Sequence, residues 1–286
     1  MKHLVIGGTG TLGRALIKEL VIKDEEITCM SRDELKQQAM SHQFPSVRYI
    51  LGDIRDRQRV RSILPGHDRV YLVAALKHID VIEENVEEAV RTNIVGAFNV
   101  ANEAIAAGVK HFAFSTTDKA LHPENVYGMT KGIVEKQMLW LNKHSETSFK
   151  VYRWGNVIGS RGSVVPYFVR ALQRKEPIKI THAEMTRFWI CIEDAARYVL
   201  STCASETADG ILVPPNMKAA RVLDILDAIS EILRIDGYKT ELIGIRKGEK
   251  IDELIKPHVC SKTSAQYDRG ELIDLLTPSV MRLKHA

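Results

Sequence analysis

Residues 1–20 read MKHLVIGGTGTLGRALIKEL, and this stretch decides the fold. His3-Leu4-Val5-Ile6 is a short apolar run of the kind a buried strand uses. Leu12, Leu16 and Leu20 then recur every four residues, on one face of a helix. Between the two stands Gly7-Gly8-Thr9-Gly10-Thr11-Leu12-Gly13, a G-x-x-G-x-x-G frame where a strand hands over to a helix. Gly7 permits the tight turn, Gly10 lets a pyrophosphate approach the backbone, and Gly13 lets the helix pack against the strand. The helix N-terminus adds unsatisfied N–H groups and a partial positive charge. The loop therefore reads as a dinucleotide site, with Thr9, Thr11 and Leu12 beside its glycines. A glycine-rich turn without a ligand is the competing reading, and the strand-to-helix context disfavours it.

Outward from this unit, further strands are expected at 26–30, 47–50, 69–74, 111–115 and 151–154. One long helix is expected with Val90, Ile94, Ala97, Ala101 and Ile105 on a single face, and another over 127–142. The alternation predicts an α/β fold: a Rossmann-type, doubly wound parallel sheet with helices on both faces. After about residue 160 the rhythm loosens, punctuated by Gly162, Pro166, Pro177, Pro214 and Pro215. Residues 221–233 form a clear amphipathic pattern within this second part. The expected division is a dinucleotide-binding domain with the catalytic residues at 1–160, and a smaller, mixed α/β lobe at 161–286. The basic end, MRLKHA, reads as frayed.

Composition sets outer bounds. Of 286 residues, 45% are hydrophobic and 27% charged, which excludes disordered, collagen-like and mucin-like chains. No apolar run reaches the ~18–20 residues of a membrane span, and the apolar stretch before Gly7 is too short for a signal peptide. Cys29, Cys191, Cys203 and Cys260 are scattered, with no C-x-x-C pair and no metal spacing, so reduced thiols, a cytoplasmic setting and no bound metal are expected. His78, His111 and His122 also lack ligand spacing, and Trp140, Trp154 and Trp189 read as packing residues. A net charge of +4 with both signs interspersed argues against a nucleic-acid partner and suits an anionic small molecule.

The end of the second strand distinguishes NAD from NADP. Ser31, Arg32 and Lys36 could together hold a ribose 2′-phosphate, so NADP is expected. Asp33 would favour NAD if it faced the ribose; alternatively Ser31 or Asp33 simply caps the next helix. Chemistry is expected from two further motifs. Tyr127 and Lys131 are four residues apart on a helix, and an ammonium beside a phenol stabilises the phenolate. Ser115-Thr116-Thr117-Asp118-Lys119 follows the fifth strand, at the end of the sheet where ligands bind. Adjacent acid and base groups there suit an elimination; a surface ion pair with a helix cap is the plain alternative.

Taken in order, GGTGTLG (7–13), SRDELKQ (31–37), GDIRD (52–56), AALKH (74–78), TNIVGAFNV (92–100), STTDKA (115–120), NVYGMTK (125–131), RWGNVIGSRGSVVP (153–166), MTRFWI (185–190) and IRKGEK (245–250) resemble an extended short-chain dehydrogenase/reductase. The resemblance is to the UDP-N-acetylglucosamine 4,6-dehydratases, in the inverting branch that epimerises C5. It implies an enzyme that uses NADP in an internal redox cycle. Tyr127 would take the C4 hydroxyl proton and Lys131 would hold the nicotinamide ribose and tune Tyr127. Thr117 would polarise the C4 oxygen, Lys119 would remove the C5 proton and Asp118 would protonate the departing C6 hydroxyl. Asp53 and Ile54 would border the adenine, and Ala74, Ala75, Lys77 and Thr92 the rest of the cofactor, with Lys77 also reaching substrate. Asn156, Val164, Thr181, Arg187, Arg246 and Glu249 would hold the UDP-sugar, Arg187 having a subunit contact as its alternative. Thr116 stands where the family usually has Ser, and Lys247 where it usually has Pro.

Rival readings remain. A retaining dehydratase resembling this chain often has Met where Tyr127 stands. A UDP-sugar 4-epimerase needs no Asp118–Lys119 pair. A non-catalytic NADP-sensing regulator could dispense with Asp118, Lys119, Tyr127 and Lys131 alike. The family also implies a homo-oligomer: a dimer through the helices near 89–107 and 127–142, or a larger ring up to a hexamer. Alternatively those helix faces only cover the sheet.

Overall fold

The structure is a computed structural model that describes residues 1–208 and 210–284. Its elements run β1 (Lys2–Ile6), α1 (Thr11–Ile22), β2 (Glu26–Ser31), α2 (Glu34–Gln43), β3 (Arg48–Leu51), α3 (Arg57–Ile63), β4 (Arg69–Leu72), α4 (Ile79–Glu83), α5 (Val86–Ala89), α6 (Ala97–Ala106), β5 (His111–Thr117), α7 (Val126–His144) and β6 (Ser148–Trp154). They continue with β7 (Asn156–Val157), α8 (Val164–Arg174), β8 (Ile178–Ile180), β9 (Thr186–Ile190), α9 (Ile192–Thr202), β10 (Ile211–Leu212), β11 (Ala219–Arg221), α10 (Val222–Leu233), β12 (Thr240–Leu242), β13 (Leu254–Lys256), β14 (Val259–Cys260) and α11 (Arg269–Lys284). A π-helical stretch, Val90–Gly96, joins α5 to α6, and a 3₁₀ turn, Asp118–Ala120, follows β5.

The seven-stranded sheet has the order β10-β6-β5-β4-β1-β2-β3. The pairings β1–β2, β2–β3, β1–β4, β4–β5 and β6–β10 are parallel. Strand order reverses between β1 and β4, the switch point at whose carboxyl side such sheets bind ligands. This is the Rossmann-type sheet expected from the strand–helix alternation. Leu4, Ile6, Val70, Leu72, Phe112, Phe114 and Val151 of the strands share one core with Val100 and Ala104 of α6 and Val134 and Met138 of α7.

The chain forms two compact units, 1–153 with 193–213, and 154–192 with 214–286. The first unit therefore ends short of the expected residue 160 and later takes back α9 and β10. The reason is pairing: β10 extends the sheet beyond β6, and the Tyr152 hydroxyl lies 3.1 Å from Thr202 Oγ1 of α9. The second unit holds the sheet β11-β9-β7 and the pairs β8–β12 and β13–β14. Its core joins Phe168 and Leu172 of α8, Ile225 and Ile229 of α10, and Leu276 and Val280 of α11.

Three local expectations are corrected. The helix expected through Val90 is broken up as α5, the π stretch and α6; the wider π turn leaves Val90 exposed and buries Thr92, Asn93 and Gly96. Trp154 and Trp189 are buried, but Trp140 is 54% exposed and stacks on His144. Met281–Lys284 are the last turn of α11 rather than frayed, because Val280 docks in the second core; His285 and Ala286 lie outside the described residues. No helix among the described residues is long and apolar enough to cross a membrane.

His3 sits inside the first unit, its Nδ1 3.1 Å from the Tyr71 hydroxyl. Burial lowers its pKa from 6.5 to about 4, against the opposing pull of Glu25. The unfolded chain thus takes up this proton at a higher pH than the folded one. Stability present above pH 6.5 is lost as the pH falls towards 4. In urea unfolding, His3→Phe is expected to lose less stability than the wild type between about pH 7 and about pH 5; equal losses would contradict this.

Candidate active site

The loop after β1 fits a dinucleotide by shape. Gly7 has φ +87°, and a Cβ there would stand 2.6 Å from the backbone nitrogen of Ala74, beyond β4. A Cβ on Gly13 would stand 2.5 Å from the Gly7 carbonyl oxygen. The Gly10 amide donates to that same oxygen at 2.8 Å. Gly10 brings no side chain to cap α1, and no acid lies in the first helical turn, as a phosphate at a helix N-terminus requires. Thr9 is buried, while Thr11 and Leu12 begin α1 half-buried.

At the end of β2 the acid is committed to the helix that follows. Asp33 caps α2, accepting the Lys36 amide at 2.9 Å, and its carboxylate pairs with the Lys36 ammonium. Asp33 and Lys36, both expected at the cofactor, are thus paired with each other, because the first turn of α2 needs a cap. Ser31 is buried and accepts from Gln37 Nε2 at 3.0 Å. Arg32 remains 52% exposed, 3.6 Å from Asp53. Burial raises the Asp53 pKa, but hydrogen bonds from Arg55 outweigh it and hold the carboxylate below its ordinary range. Ile54 is a core residue against Gly96.

Asn93 is a residue that the sequence reasoning missed. It lies buried in the π stretch and grips the loop after β4: its Oδ1 accepts the Leu76 amide at 2.8 Å and its Nδ2 donates to the Leu76 carbonyl at 3.0 Å. The same Nδ2 reaches Thr130 Oγ1 of α7 at 3.1 Å. One amide therefore positions the Ala74–Lys77 loop against the helix that carries Tyr127 and Lys131. Lys77 is exposed, and Ala74 and Ala75 are half-buried. Thr92 Oγ1 is buried and makes no hydrogen bond.

Thr117, Asp118, Lys119, Tyr127 and Lys131 are brought together at the end of β5. Asp118 is fully buried. Its Oδ1 accepts from Thr117 Oγ1 and from Lys119 Nζ, both at 3.0 Å, while its buried Oδ2 makes no hydrogen bond. The pair is therefore no surface salt bridge. The helix cap at this place is real too, since Thr117 caps the 3₁₀ turn. Thr116 Oγ1, the hydroxyl retained in place of Ser, is buried and makes no hydrogen bond. Asn125 Oδ1 caps α7 by accepting the Gly128 amide at 2.8 Å, and Glu83 accepts the Val126 amide at 2.7 Å. A Cβ on Gly128 would lie 2.1 Å from the Lys119 carbonyl oxygen, so only glycine lets α7 come this close.

Burial pushes the Tyr127 pKa up to about 12; Lys119 lowers it, Asp118 raises it, and a hydrogen bond with Thr117 lowers it. The cation acting on Tyr127 is thus Lys119, whereas Lys131 was expected to tune it. Lys131 Nζ instead donates to the Ser115 carbonyl at 2.8 Å, and burial pulls its pKa down to about 7. A phenol, an ammonium and a carboxylate meet at the end of β5, an arrangement able to move protons on and off adjacent carbons.

In the second unit, Arg187 is turned into the protein. It is 3% exposed, and its guanidinium donates to the carbonyls of Thr186, Ile251 and Lys250 at 2.7–2.8 Å. This fastens the loop of Arg246 and Glu249, whose Oε1 lies 3.8 Å from Arg187. Arg246 is exposed, and its amide donates to Glu249 Oε2 at 3.4 Å. Asn156 lies on β7 and Val164 begins α8. Thr181 Oγ1 lies 3.5 Å from Met185 Sδ. A cavity of about 900 Å³ in this unit is lined by Asp224, Asp227, Tyr238 and Arg269 and by none of the expected substrate residues.

The family described as polysaccharide biosynthesis protein matches residues 3–272. The chain belongs to this family. An inverting UDP-N-acetylglucosamine 4,6-dehydratase from Campylobacter jejuni is 39% identical over 262 residues, covering 88% of this chain and 76% of the relative. A UDP-glucose 4-epimerase from Rickettsia canadensis is 34% identical, covering 86% and 75%. Among solved structures, Pen from Bacillus thuringiensis superposes with a TM-score of 0.88 at 29% identity, covering 99% of this chain and 98% of Pen. The dTDP-glucose 4,6-dehydratase DesIV from Streptomyces venezuelae, solved with NAD bound, shares the fold with a TM-score of 0.86 at 18% identity. As a family member, the chain is related to the inverting dehydratases and stands within the extended short-chain dehydrogenase/reductase superfamily.

Gly128→Ala is expected to destabilise the protein by about 1–3 kcal/mol through overpacking. By moving Tyr127 away from Lys119 it should also cut turnover by at least about tenfold. Thermal unfolding and steady-state kinetics on one preparation check this; unchanged turnover would contradict it.

Proposed function

We propose that this protein is a UDP-N-acetylglucosamine 4,6-dehydratase that inverts C5 and uses NADP. The observation that carries the reading is the Asp118–Lys119 pair beside Tyr127, its carboxylate fully buried. Related enzymes carry out both dehydration and 4-epimerisation, but epimerisation at C4 leaves this pair without a task. The non-catalytic alternative leaves all four groups without one.

Bound at Gly7–Gly13, the dinucleotide supplies a reversible hydride acceptor. The chain's own residues handle the protons. Tyr127 takes the C4 hydroxyl proton, its phenolate supported by Lys119 and Thr117. Thr117 holds the resulting C4 oxygen. The ketone acidifies C5–H, and Lys119, having passed its own proton to Asp118 across their 3.0 Å contact, removes the C5 proton as Asp118 protonates the C6 hydroxyl, which leaves as water. The unpartnered Asp118 Oδ2 is the oxygen free to carry that proton. Return of the C4 hydride to C6, with a proton delivered to C5 from the opposite face, would give the L-arabino 4-ketone. Lys131 and the Asn93-held loop position the nicotinamide ribose, and Arg246, Glu249, Asn156, Val164 and Thr181 hold the UDP part, with Arg187 fastening their loop.

NADP over NAD rests on Asp33 being committed to a helix cap while Arg32 stays exposed beside it. A cytoplasmic setting rests on the scattered cysteines. A two-fold dimer rests on the apolar side chains exposed on α7 (Met129, Ile133, Trp140) and on Val86, Val90 and Val95.

Asp118→Asn and Lys119→Ala are each expected to cut dehydration by at least about a hundredfold while NADP binding, followed by calorimetry, stays intact. Unchanged turnover in either variant would remove the mechanism. Arg32→Ala is expected to weaken NADP by about tenfold or more and to leave NAD unaffected; equal weakening of both would return the cofactor choice to NAD.

A further inference from the structure

Helix α7 carries a third charged group in line with its two functional ones. Tyr127, Lys131 and Glu135 are four residues apart and share one face. Glu135 is buried and gripped by Arg153 of β6, whose Nε lies 3.0 Å from one carboxylate oxygen and whose Nη2 lies 2.6 Å from the other. Arg153 is also buried. Such a pair pays heavily in desolvation, so stability alone explains it poorly. Lys131 is buried as well, and its near contacts are neutral: the Ser115 carbonyl at 2.8 Å and the Phe114 ring, whose centroid is 4.6 Å away. The charged and titratable groups of the site and of this pair are Asp118 and Lys119 on the 3₁₀ turn, Tyr127 and Glu135 on α7, and Arg153 on β6; α7 also carries Lys136, Lys143 and His144, and α4 packed against it carries Asp80 and Glu83. Of these, Glu135 is the one that resists the downward pull of burial on the ammonium.

We propose that Glu135, held in place by Arg153, is a positioning residue that keeps Lys131 charged and so sets the pH range in which the site works. It acts through Lys131 alone. The catalytic consequence rests on the dehydratase reading; the titration of Lys131 does not.

The test uses full-length protein labelled with ¹³C at the lysine Cε atoms, with the Lys131 signal identified by its loss in Lys131→Met. The wild-type midpoint is expected at about 7. Glu135→Gln leaves Arg153 unpaired and can misfold, so Glu135→Gln/Arg153→Met, which removes both charges, is titrated alongside it. In each folded variant the midpoint is expected to fall by about one unit, a tenfold loss of proton affinity. The alkaline limb of turnover on UDP-N-acetylglucosamine should move down with it. A midpoint that falls by less than about half a unit in the folded double variant overturns the proposal. If the wild type turns over no UDP-N-acetylglucosamine, the dehydratase reading fails, and the Lys131 titration still decides the role of Glu135.

Discussion

The site depends on how closely the first turn of α7 approaches the turn after β5. A side chain at position 128 would strike the Lys119 carbonyl, and without one the two backbones meet directly. That approach sets Tyr127 beside Thr117 and Lys119. Asn125 and Glu83 hold it by satisfying two amides at the start of α7, and Asn93 ties Thr130 on the same helix to the loop beyond β4. The reacting groups are carried on strand ends and helix turns with their own backbone partners, so little freedom remains to be lost when substrate arrives.

The same closeness shapes the electrostatics. Removing water makes the Tyr127 proton harder to lose and the Lys131 proton easier to lose. Left alone, the corner would favour a neutral phenol and a neutral amine. Lys119 and the Thr117 hydroxyl draw the phenol back towards ionisation, and Glu135 does the same for the ammonium. Opposing shifts on neighbouring groups are a mark of a site built for proton transfer.

Much of this was legible in the sequence where a local pattern carries the information. The glycine frame, the strand–helix alternation and the residues gathered at the end of β5 follow from short-range spacing. Features set by tertiary pairing were not. β10 is two residues long, and its pairing with β6, together with the Tyr152–Thr202 contact, returns α9 to the first unit. The π stretch defeats a 3.6-residue count, which misplaced Val90 and hid Asn93. The sequence leaves Asp33 open between ribose and helix cap, and Arg187 between phosphate and subunit contact, because charge is visible in sequence and partners are not; in the fold one caps α2 and the other fastens three carbonyls. Glu135 did leave a trace, standing four residues after Lys131, but the trace has meaning only once Arg153 is seen beside it.

The central claim is that Lys119 and Asp118 act across the C5–C6 bond of a UDP-sugar. Proton NMR of the protein with UDP-N-acetylglucosamine in deuterated water tests it most directly. The account predicts a new methyl signal at C6, deuterium at C5 and the couplings of an L-arabino 4-ketone. D-xylo couplings at C5, or exchange at C4 with no methyl signal, would contradict it.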